Sequence, residues 1–230
     1  MNIDPNSLND SQYSLNATSI ILILIFLVLP ALSGCGLFIP EPYGAISPGI
    51  GLSQIDGKTL FIPKNAPSIL NGFNSSKNKQ KYGQPASGHN GIDIIAKIGT
   101  PVIAPANGKV TSSFLGPAYG NTLTIFHGKG PDGFYILTQY HHMNKRLVQT
   151  GDIVVRGQQI GELGRTGVLA GGILHLHFET LGTKKPEKGG YTPLNPHRFW
   201  YGGPGNITCF DSKKKWDDTS FKATYPVVCK

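Results

Sequence analysis

Apolar and polar residues alternate over short stretches of the chain, and turn residues separate these stretches. The clearest example is His175-Leu-His-Phe-Glu179, in which apolar and polar side chains take opposite faces of an extended backbone. Two further β-rich runs cover residues 122–126 and 134–143. No stretch shows sustained helical periodicity, and no long internal repeat is present. The pattern predicts a mostly β protein whose antiparallel strands are joined by hairpins.

Turn residues mark the ends of these strands. Glycine and proline account for 30 and 17 of the 230 residues, without a collagen-like period. Asn107-Gly108 lies between two short β-rich runs and predicts a hairpin. The spacing of Gly128, Gly130 and Gly133 formally matches a dinucleotide-binding loop, but a β-rich run follows it where that site requires a helix. We therefore read 127–133 as an ordinary loop between strands.

The length and composition are those of one globular domain with additional segments. Hydrophobic residues make up 39% of the chain and charged residues 15%, so a sizeable core can form. We expect an N-terminal signal segment at 1–34, a Gly/Pro/Ser-rich tether at 35–70, the main globular domain at 71–200 and a basic C-terminal tail at 201–230. The lysines of the tail are expected to be solvated surface.

The N-terminal segment has the features of an export signal. Residues 20–29 are an unbroken apolar run, which is too short to span a bilayer. The run leads into Leu32-Ser-Gly-Cys35, which resembles the lipobox of bacterial lipoproteins, where the cysteine is acylated. Residues 1–19 lack the lysine or arginine of a usual signal peptide, and an uncleaved apolar anchor is the alternative interpretation. We expect a protein of the bacterial cell envelope, lipid-anchored through Cys35 and facing the periplasm or exterior.

Charge and cysteine content agree with export. The chain carries a net charge of +8, which favours anionic surroundings such as a membrane surface or an acidic wall polymer. We expect no nucleic-acid partner, because an exported lipoprotein rarely meets one. With Cys35 assigned to lipid, Cys209 and Cys229 remain as a pair, and an oxidising compartment predicts a disulfide between them. Two free thiols are the alternative in a reducing compartment.

Histidines and one aspartate supply the parts of a hydrolytic zinc site. Such a site needs three protein ligands and an open position for water, whose pKa zinc lowers from 15.7 to about 7. His89 and Asp93 flank a glycine where a turn enters a strand, and His177 lies in the alternating strand. These imidazole and carboxylate donors suit zinc. We therefore predict His89, Asp93 and His177 as ligands of one Zn²⁺, whose bound water attacks the substrate.

Two further histidines are candidates for moving protons at this site. His175 lies two residues before His177 and on the same face of the strand. His141 and His142 are adjacent, so strand alternation lets only one of them face the site. We expect His142 and His175 to flank the water, one accepting its proton and the other stabilising or protonating the scissile amide. The sequence contains no H-E-x-x-H, G-x-S-x-G or P-loop motif for a competing enzyme class.

Several separated motifs resemble, in order, the lysostaphin-type (LytM-like) zinc endopeptidases. The resemblance covers roughly residues 71–182. Its motifs are His89-x-x-x-Asp93, Gly99-Thr-Pro-Val102, Gly108-Lys-Val110, Tyr140-x-His142, Gly151…Gly157-Gln158…Ile160-Gly161…Gly164-x-Thr166-Gly167 and His175-Leu-His-Phe-Glu179. It implies a small antiparallel β fold with a groove and one Zn²⁺ per chain bound by His89, Asp93 and His177. It also implies His142 and His175 as catalytic residues and peptide bonds of peptidoglycan stems or cross-bridges as the substrate.

The sequence departs from this family in two places, and alternatives to an enzyme remain. Gly171-Gly-Ile-Leu174 replaces the usual Gly-Pro before His-x-His, and the C-terminal tail lies outside the family core. His127 and His197 have no counterpart in the motifs, and we predict structural roles for them. The main alternative is a non-catalytic member of the fold that binds cell wall or activates another hydrolase. A lipoprotein adaptor acting through its tail is a third hypothesis.

Overall fold

The computed structural model describes residues 42–46, 54–55, 58–74 and 88–230. The predicted signal peptide, Cys35 and most of the tether lie outside these residues. Within the described part of the chain, no helix has both the length and the apolar character needed to cross a bilayer. The four segment boundaries given above stay predictions.

The described ranges form thirteen β-strands and four short 3₁₀ turns. The strands are β1 (Gln54–Ile55), β2 (Lys58–Thr59), β3 (Ile69–Asn71), β4 (Gly91–Ile94), β5 (Pro101–Ile103), β6 (Gly108–Gly116), β7 (Gly120–Lys129), β8 (Tyr135–Met143), β9 (Lys145–Arg146), β10 (Ile153–Val154), β11 (Gln159–Glu162), β12 (Leu176–Thr183) and β13 (Thr192–Leu194). The 3₁₀ turns are Pro131–Gly133, Val168–Ala170, Pro186–Lys188 and Pro196–Arg198.

The strands form one large antiparallel sheet, a smaller three-stranded sheet and a two-stranded pair, β1 with β2. The large sheet has the order β10-β6-β7-β8-β12-β4-β3, and the smaller one the order β5-β11-β9. Strand β13 pairs with the second half of β12, whose first half pairs with β4. The prediction of a mostly β, antiparallel fold is confirmed. The β-rich run 122–126 lies in β7, and the run 134–143 matches β8 except for its first residue.

One face of the large sheet forms the hydrophobic core. Leu176 and Phe178 of β12 are fully buried, as are Ile92 of β4 and Tyr140 of β8. Phe178 lies opposite Tyr140 in the register, and the two rings are in contact, with centroids 5.4 Å apart. Burial of the apolar residues of β12 on this face leaves its histidines on the other.

The predicted hairpin at Asn107-Gly108 does not form. The strands on either side of it, β5 and β6, belong to different sheets and do not pair with each other. The hairpin lies instead between β6 and β7. The Asn107 carbonyl accepts a hydrogen bond from His127 Nδ1, and its side-chain oxygen accepts one from the amide of Arg156. The turn at Asn107-Gly108 therefore connects two different sheets. The local sequence does not distinguish such a connection from a hairpin turn.

The C-terminal tail packs into the core. Phe221, Ala223, Tyr225 and Val227 are all buried, and Val227 bridges to Val102 of β5. The chain contains the predicted disulfide between its two tail cysteines, with sulfur atoms 1.97 Å apart. The three lysines 213–215 are exposed, as predicted for solvated surface.

Candidate metal centre

Three neighbouring strands bring the polar residues of the site into one row. In the register of the sheet, His177 of β12 lies opposite Asp93 of β4 on one side and His141 of β8 on the other. Residues directly opposite one another in paired strands point their side chains to the same face. The row therefore stands on the face opposite to Phe178 and Tyr140.

A β-bulge in β8 brings a second histidine to this row. Leu123 pairs with Tyr140 and Asn121 pairs with Met143, so His141 and His142 both lie opposite the single residue Thr122. His142 has φ 63°, the only left-handed value at a non-glycine residue in the described part of the chain. Bulges of this kind redirect a side chain and are frequent next to active sites.

The bulge places the rings of both histidines on the face of the sheet that carries the ligand row. The His141 ring lies 5.6 Å from the His177 ring, and the His142 ring lies 4.9 Å from the His175 ring. Tyr140, which strict alternation would group with His142, is instead buried in the core. His142 lines the cleft beside the ligands and His141 does not, as predicted. Strict alternation is not the reason, because it applies only to a regular strand.

Three of the predicted site residues converge through one atom each. His89 Nε2 lies 3.1 Å from Asp93 Oδ1 and 3.0 Å from His177 Nδ1. His177 Nδ1 lies 2.8 Å from Asp93 Oδ1. Asp93 Oδ2 is taken up by a hydrogen bond of 2.7 Å from the side-chain amide of Asn71, which leaves Oδ1 directed at the histidines.

The second nitrogen of each site histidine has a hydrogen-bond acceptor, which fixes the tautomer of the neutral ring. Three acceptors are main-chain carbonyls and one is a carboxylate: Gly72 O for His89 Nδ1 at 2.8 Å, Thr166 O for His142 Nδ1 at 2.9 Å, Ile173 O for His175 Nδ1 at 3.0 Å, and Glu179 Oε1 for His177 Nε2 at 2.9 Å. In the neutral rings the other nitrogen carries a lone pair. His175 Nε2, one of these nitrogens, lies 3.7 Å from Asp93 Oδ1.

This donor set fits a zinc ion. In the neutral rings the facing atoms of His89, Asp93 and His177 are three acceptors with no proton between them, so a cation is the partner that satisfies all three. Their separations of 2.8–3.1 Å approach the spacing of about 3.3 Å expected between ligands of tetrahedral zinc with bonds of about 2.0 Å. The carboxylate of Glu179 behind His177 is the kind of outer partner that metal-bound histidines normally have.

Burial and charge set the protonation of the site. Burial alone would raise the pKa of Asp93, but the hydrogen bonds and charges of His177 and His89 hold it far below its ordinary value. Burial alone would lower the pKa of His177, but Asp93 and Glu179 together raise it. Two acidic groups thus favour positive charge at His177, whether that charge is a proton or a metal ion.

The histidines of the bulge are held in the neutral form. Burial and the neighbouring His177 together lower the pKa of His141 to about 4, against the opposing charge of Glu179. Burial also lowers the pKa of His142, although its hydrogen bond to Thr166 opposes the shift. Neutral His142 keeps a nitrogen lone pair available as a proton acceptor.

The site opens into a small cleft with one apolar side. The cleft has a volume of about 220 Å³. It is lined by Gly88, His89, Asn90, Asp93, Tyr119, His142, Leu169, His175, His177 and Glu179. Tyr119 and Leu169 expose 43% and 59% of their surface and form an apolar rim beside the histidines. All five predicted site residues therefore border one cavity.

Sequence reasoning missed the residues that support this cluster. Asn71 orients Asp93 from a different strand, and Thr122 contacts His141 Nδ1 at 3.2 Å. Glu179 shares the face of His177 by strand alternation, and this pattern could have identified it as a partner. No comparable signal marks Asn71 or Thr122, because their roles depend on strand pairing.

Comparison with known proteins agrees with this geometry. Residues 87–189 match the model of Peptidase family M23. The chain carries an M23 domain. This segment contains all five predicted site residues and ends before the C-terminal tail begins.

Curated relatives of the M23 domain include wall-active enzymes. The peptidoglycan DD-endopeptidase ShyB of Vibrio cholerae is 38% identical over 125 residues, which cover 54% of this chain and 28% of that protein. The peptidoglycan DD-endopeptidase ShyA of the same organism is 40% identical over 98 residues, covering 43% and 21%. The uncharacterized lipoprotein YgeR of Escherichia coli is 35% identical over 101 residues, covering 43% and 36%. The chain thus spans between about a fifth and a third of these relatives.

Solved structures with similarity to part of the chain include a zinc-containing peptidase and LytU. A zinc-containing peptidase from Vibrio cholerae has 35% identity and covers 55% of this chain and 35% of that chain, with a TM-score of 0.43. The structure of LytU has 30% identity and covers 60% of this chain and 86% of that chain, with a TM-score of 0.44.

Proposed function

We propose that this protein is a zinc metalloendopeptidase that hydrolyses peptide bonds in the stems or cross-bridges of peptidoglycan. The observation that carries the proposal is the convergence of three ligand atoms, from His89, Asp93 and His177, beside two histidines whose free nitrogens border the same cleft. The names of the M23 relatives, peptidoglycan DD-endopeptidases among them, support the substrate class.

His89, Asp93 and His177 would hold the metal, and hydrogen bonds with neighbouring groups orient these three side chains. Asn71 and Glu179 orient Asp93 and His177, and the Gly72 carbonyl orients His89. Zinc bound there would supply Lewis acidity, which polarises a carbonyl group and lowers the pKa of water from 15.7 to about 7.

His142 and His175 would move the protons of the reaction. His142 is neutral because burial lowers its pKa, and its Nδ1–H donates to Thr166, so its Nε2 can accept a proton from the attacking water. His175 donates its Nδ1–H to Ile173 and likewise has Nε2 free. Either ring, once protonated at Nε2, can stabilise the developing oxyanion or protonate the leaving amine.

We also propose that an acyl group on Cys35 tethers the protein to a membrane of the bacterial envelope. The lipobox-like sequence before Cys35 supports this anchor, and a relative named as a lipoprotein agrees with it. Metabolic labelling with a fatty acid should label the wild-type protein and should not label Cys35→Ser. Equal labelling of both proteins would refute the anchor.

The central experiment separates metal binding from catalysis. The full chain, purified in detergent, should contain one zinc per chain and release soluble fragments from purified peptidoglycan in a chelator-sensitive reaction. His177→Ala should lose both zinc and activity, whereas His142→Ala should retain zinc and lose activity. The masses of the fragments identify the bond that is cut.

Other outcomes of this experiment would favour a different function. Wild-type protein that contains zinc and binds peptidoglycan without releasing fragments would indicate a non-catalytic wall-binding member of the fold. Fragment release that persists after complete removal of metal would refute the zinc mechanism.

A further inference from the structure

We propose that Thr166 is a positioning residue for His142, holding that ring in the orientation and tautomer that catalysis requires. The proposal rests on the proposed function, in which His142 accepts a proton at Nε2. Thr166 does not line the cleft and acts through its contacts with the two strands that carry the bulge.

The backbone and ring of His142 are held from outside its own strand. Its amide donates to the carbonyl of Tyr119 at 2.9 Å, and its carbonyl accepts from the amide of Thr166 at 3.2 Å. Its ring donates from Nδ1 to the carbonyl of Thr166 at 2.9 Å. Left-handed backbone conformations are unfavourable for residues with a side chain and persist where the surroundings fix them. Thr166 supplies two of these three contacts.

The hydroxyl of Thr166 fixes the position of its own backbone. The hydroxyl accepts a hydrogen bond of 2.9 Å from the amide of Asn121 and donates one of 2.7 Å to the carbonyl of Met143. Asn121 and Met143 are paired across β7 and β8, immediately beyond the bulge. One side chain therefore ties both strands to the carbonyl that orients the His142 ring.

Two glycines allow this close approach. A Cβ atom at Gly120 would lie 2.2 Å from the Thr166 hydroxyl oxygen, and one at Gly167 would lie 2.2 Å from the amide nitrogen of Gly120. Both glycines also have positive φ, at 66° and 83°. The segment that contains Thr166 thus packs directly on the start of β7, with no room for another side chain.

Loss of the hydroxyl should loosen the acceptor of His142 without removing a metal ligand. The ring could then rotate, or exchange its proton between Nδ1 and Nε2, and the free nitrogen would face the cleft only part of the time. Correct placement of a general base contributes roughly 10²- to 10⁴-fold to catalysis, so partial misplacement should lower kcat about 10- to 100-fold.

The test compares Thr166→Val, Thr166→Ala and Thr166→Ser in the full chain purified in detergent. We expect Val and Ala to lower kcat on peptidoglycan about 10- to 100-fold with KM changed less than about threefold. Each variant should retain one zinc per chain. Ser keeps the hydroxyl and should restore kcat to within about threefold of wild type. Thr111→Val, which removes a hydroxyl from an exposed position of β6, is the matched control and should leave kcat unchanged.

A second measurement reads the tautomer directly. Nitrogen–proton correlation spectra of the imidazoles should show His142 protonated at Nδ1 in the wild type and a mixture of tautomers in Thr166→Ala, with the signal assigned by its loss in His142→Gln. The proposal is overturned if folded, zinc-loaded Thr166→Ala and Thr166→Val keep wild-type kcat, if Ser fails to restore it, or if the tautomer does not change. Failure of the wild type to hydrolyse peptidoglycan would instead overturn the proposed function, and the spectra would still test Thr166.

Discussion

Replacing Glu179 with glutamine tests whether the carboxylate behind His177 prepares the metal site. Glu179 Oε1 lies 2.9 Å from His177 Nε2, and both residues are buried, with 7% and 8% exposed. The carboxylate can only accept here, so it holds the proton on Nε2 and leaves Nδ1 free to face Asp93. Glutamine has nearly the same shape but no charge, and its amide group can turn to donate and thereby stabilise the opposite tautomer.

The expected effect is a weaker metal site in a folded protein. Removal of an outer partner of a metal-bound histidine costs about 10- to 100-fold in metal affinity, which corresponds to about 1.4–2.7 kcal/mol. Competition between the protein and a chromophoric chelator at fixed pH measures the zinc dissociation constant. We expect Glu179→Gln to release zinc at correspondingly lower chelator concentrations.

A matched variant controls for the loss of a carboxylate elsewhere. Glu162 of β11 accepts hydrogen bonds from Asn144 and Lys145 and does not line the cleft. Glu162→Gln should leave the zinc dissociation constant unchanged. If Glu179→Gln binds zinc within twofold of the wild-type affinity, or if both variants weaken it equally, the role assigned to Glu179 is wrong.

Three further predictions concern stability. Replacement of Cys209 and Cys229 by alanine opens a loop with a sequence separation of 20 and should lower the free energy of unfolding by about 3 kcal/mol in denaturant titrations; an unchanged midpoint would contradict this. His197 is buried with its pKa lowered to about 4 from 6.5, and its Nδ1 accepts from the indole of Trp200, so the unfolded state binds more protons in this range. The contribution of His197 to the free energy of unfolding is complete above about pH 6.5, and about 3 kcal/mol of it is lost as the pH falls towards 4. In denaturant titrations, the free energy of unfolding of His197→Gln should therefore depend less steeply on pH than that of the wild type. Deletion of 201–230 should prevent cooperative thermal unfolding, because it removes buried core residues; a sharp transition at the wild-type temperature would refute this.

Local patterns in the sequence were sufficient to predict most of the strands and to propose the metal ligands. The alternation in His175-Leu-His-Phe-Glu179 reports which side chains a strand buries, because the strand repeat of two residues is a local property of the backbone. The same logic predicted β7 and β8. His89 and Asp93 could be proposed as ligands because they lie only four residues apart in the sequence. The pairing of Cys209 with Cys229 followed from counting cysteines.

Strand pairing determined two features that local patterns could not predict: the connection at Asn107-Gly108 and the burial of the C-terminal tail. Asn107-Gly108 has the composition of a hairpin turn, yet its flanking strands find partners in different sheets. The composition of the tail predicts a basic surface, and its three lysines 213–215 are indeed exposed. Tyr225 and Val227 are nevertheless buried in the core, because the chain returns to β5. Both results depend on partners about 50 to 125 residues away in sequence, where a local pattern carries no information.

The sequence by itself determined the residue types of the site, and the tertiary structure determined how they are presented. Alternation places His141 and His142 on opposite faces, but a bulge opposite Thr122 puts both rings on the face of the ligand row, where His142 lines the cleft. The tautomers of the site histidines are fixed chiefly by main-chain carbonyls, such as that of Thr166, and every residue type carries a carbonyl. Which carbonyl meets which ring depends on the packing of whole loops. The sequence therefore determines which functional groups are available, and long-range backbone contacts determine how these groups are positioned and oriented.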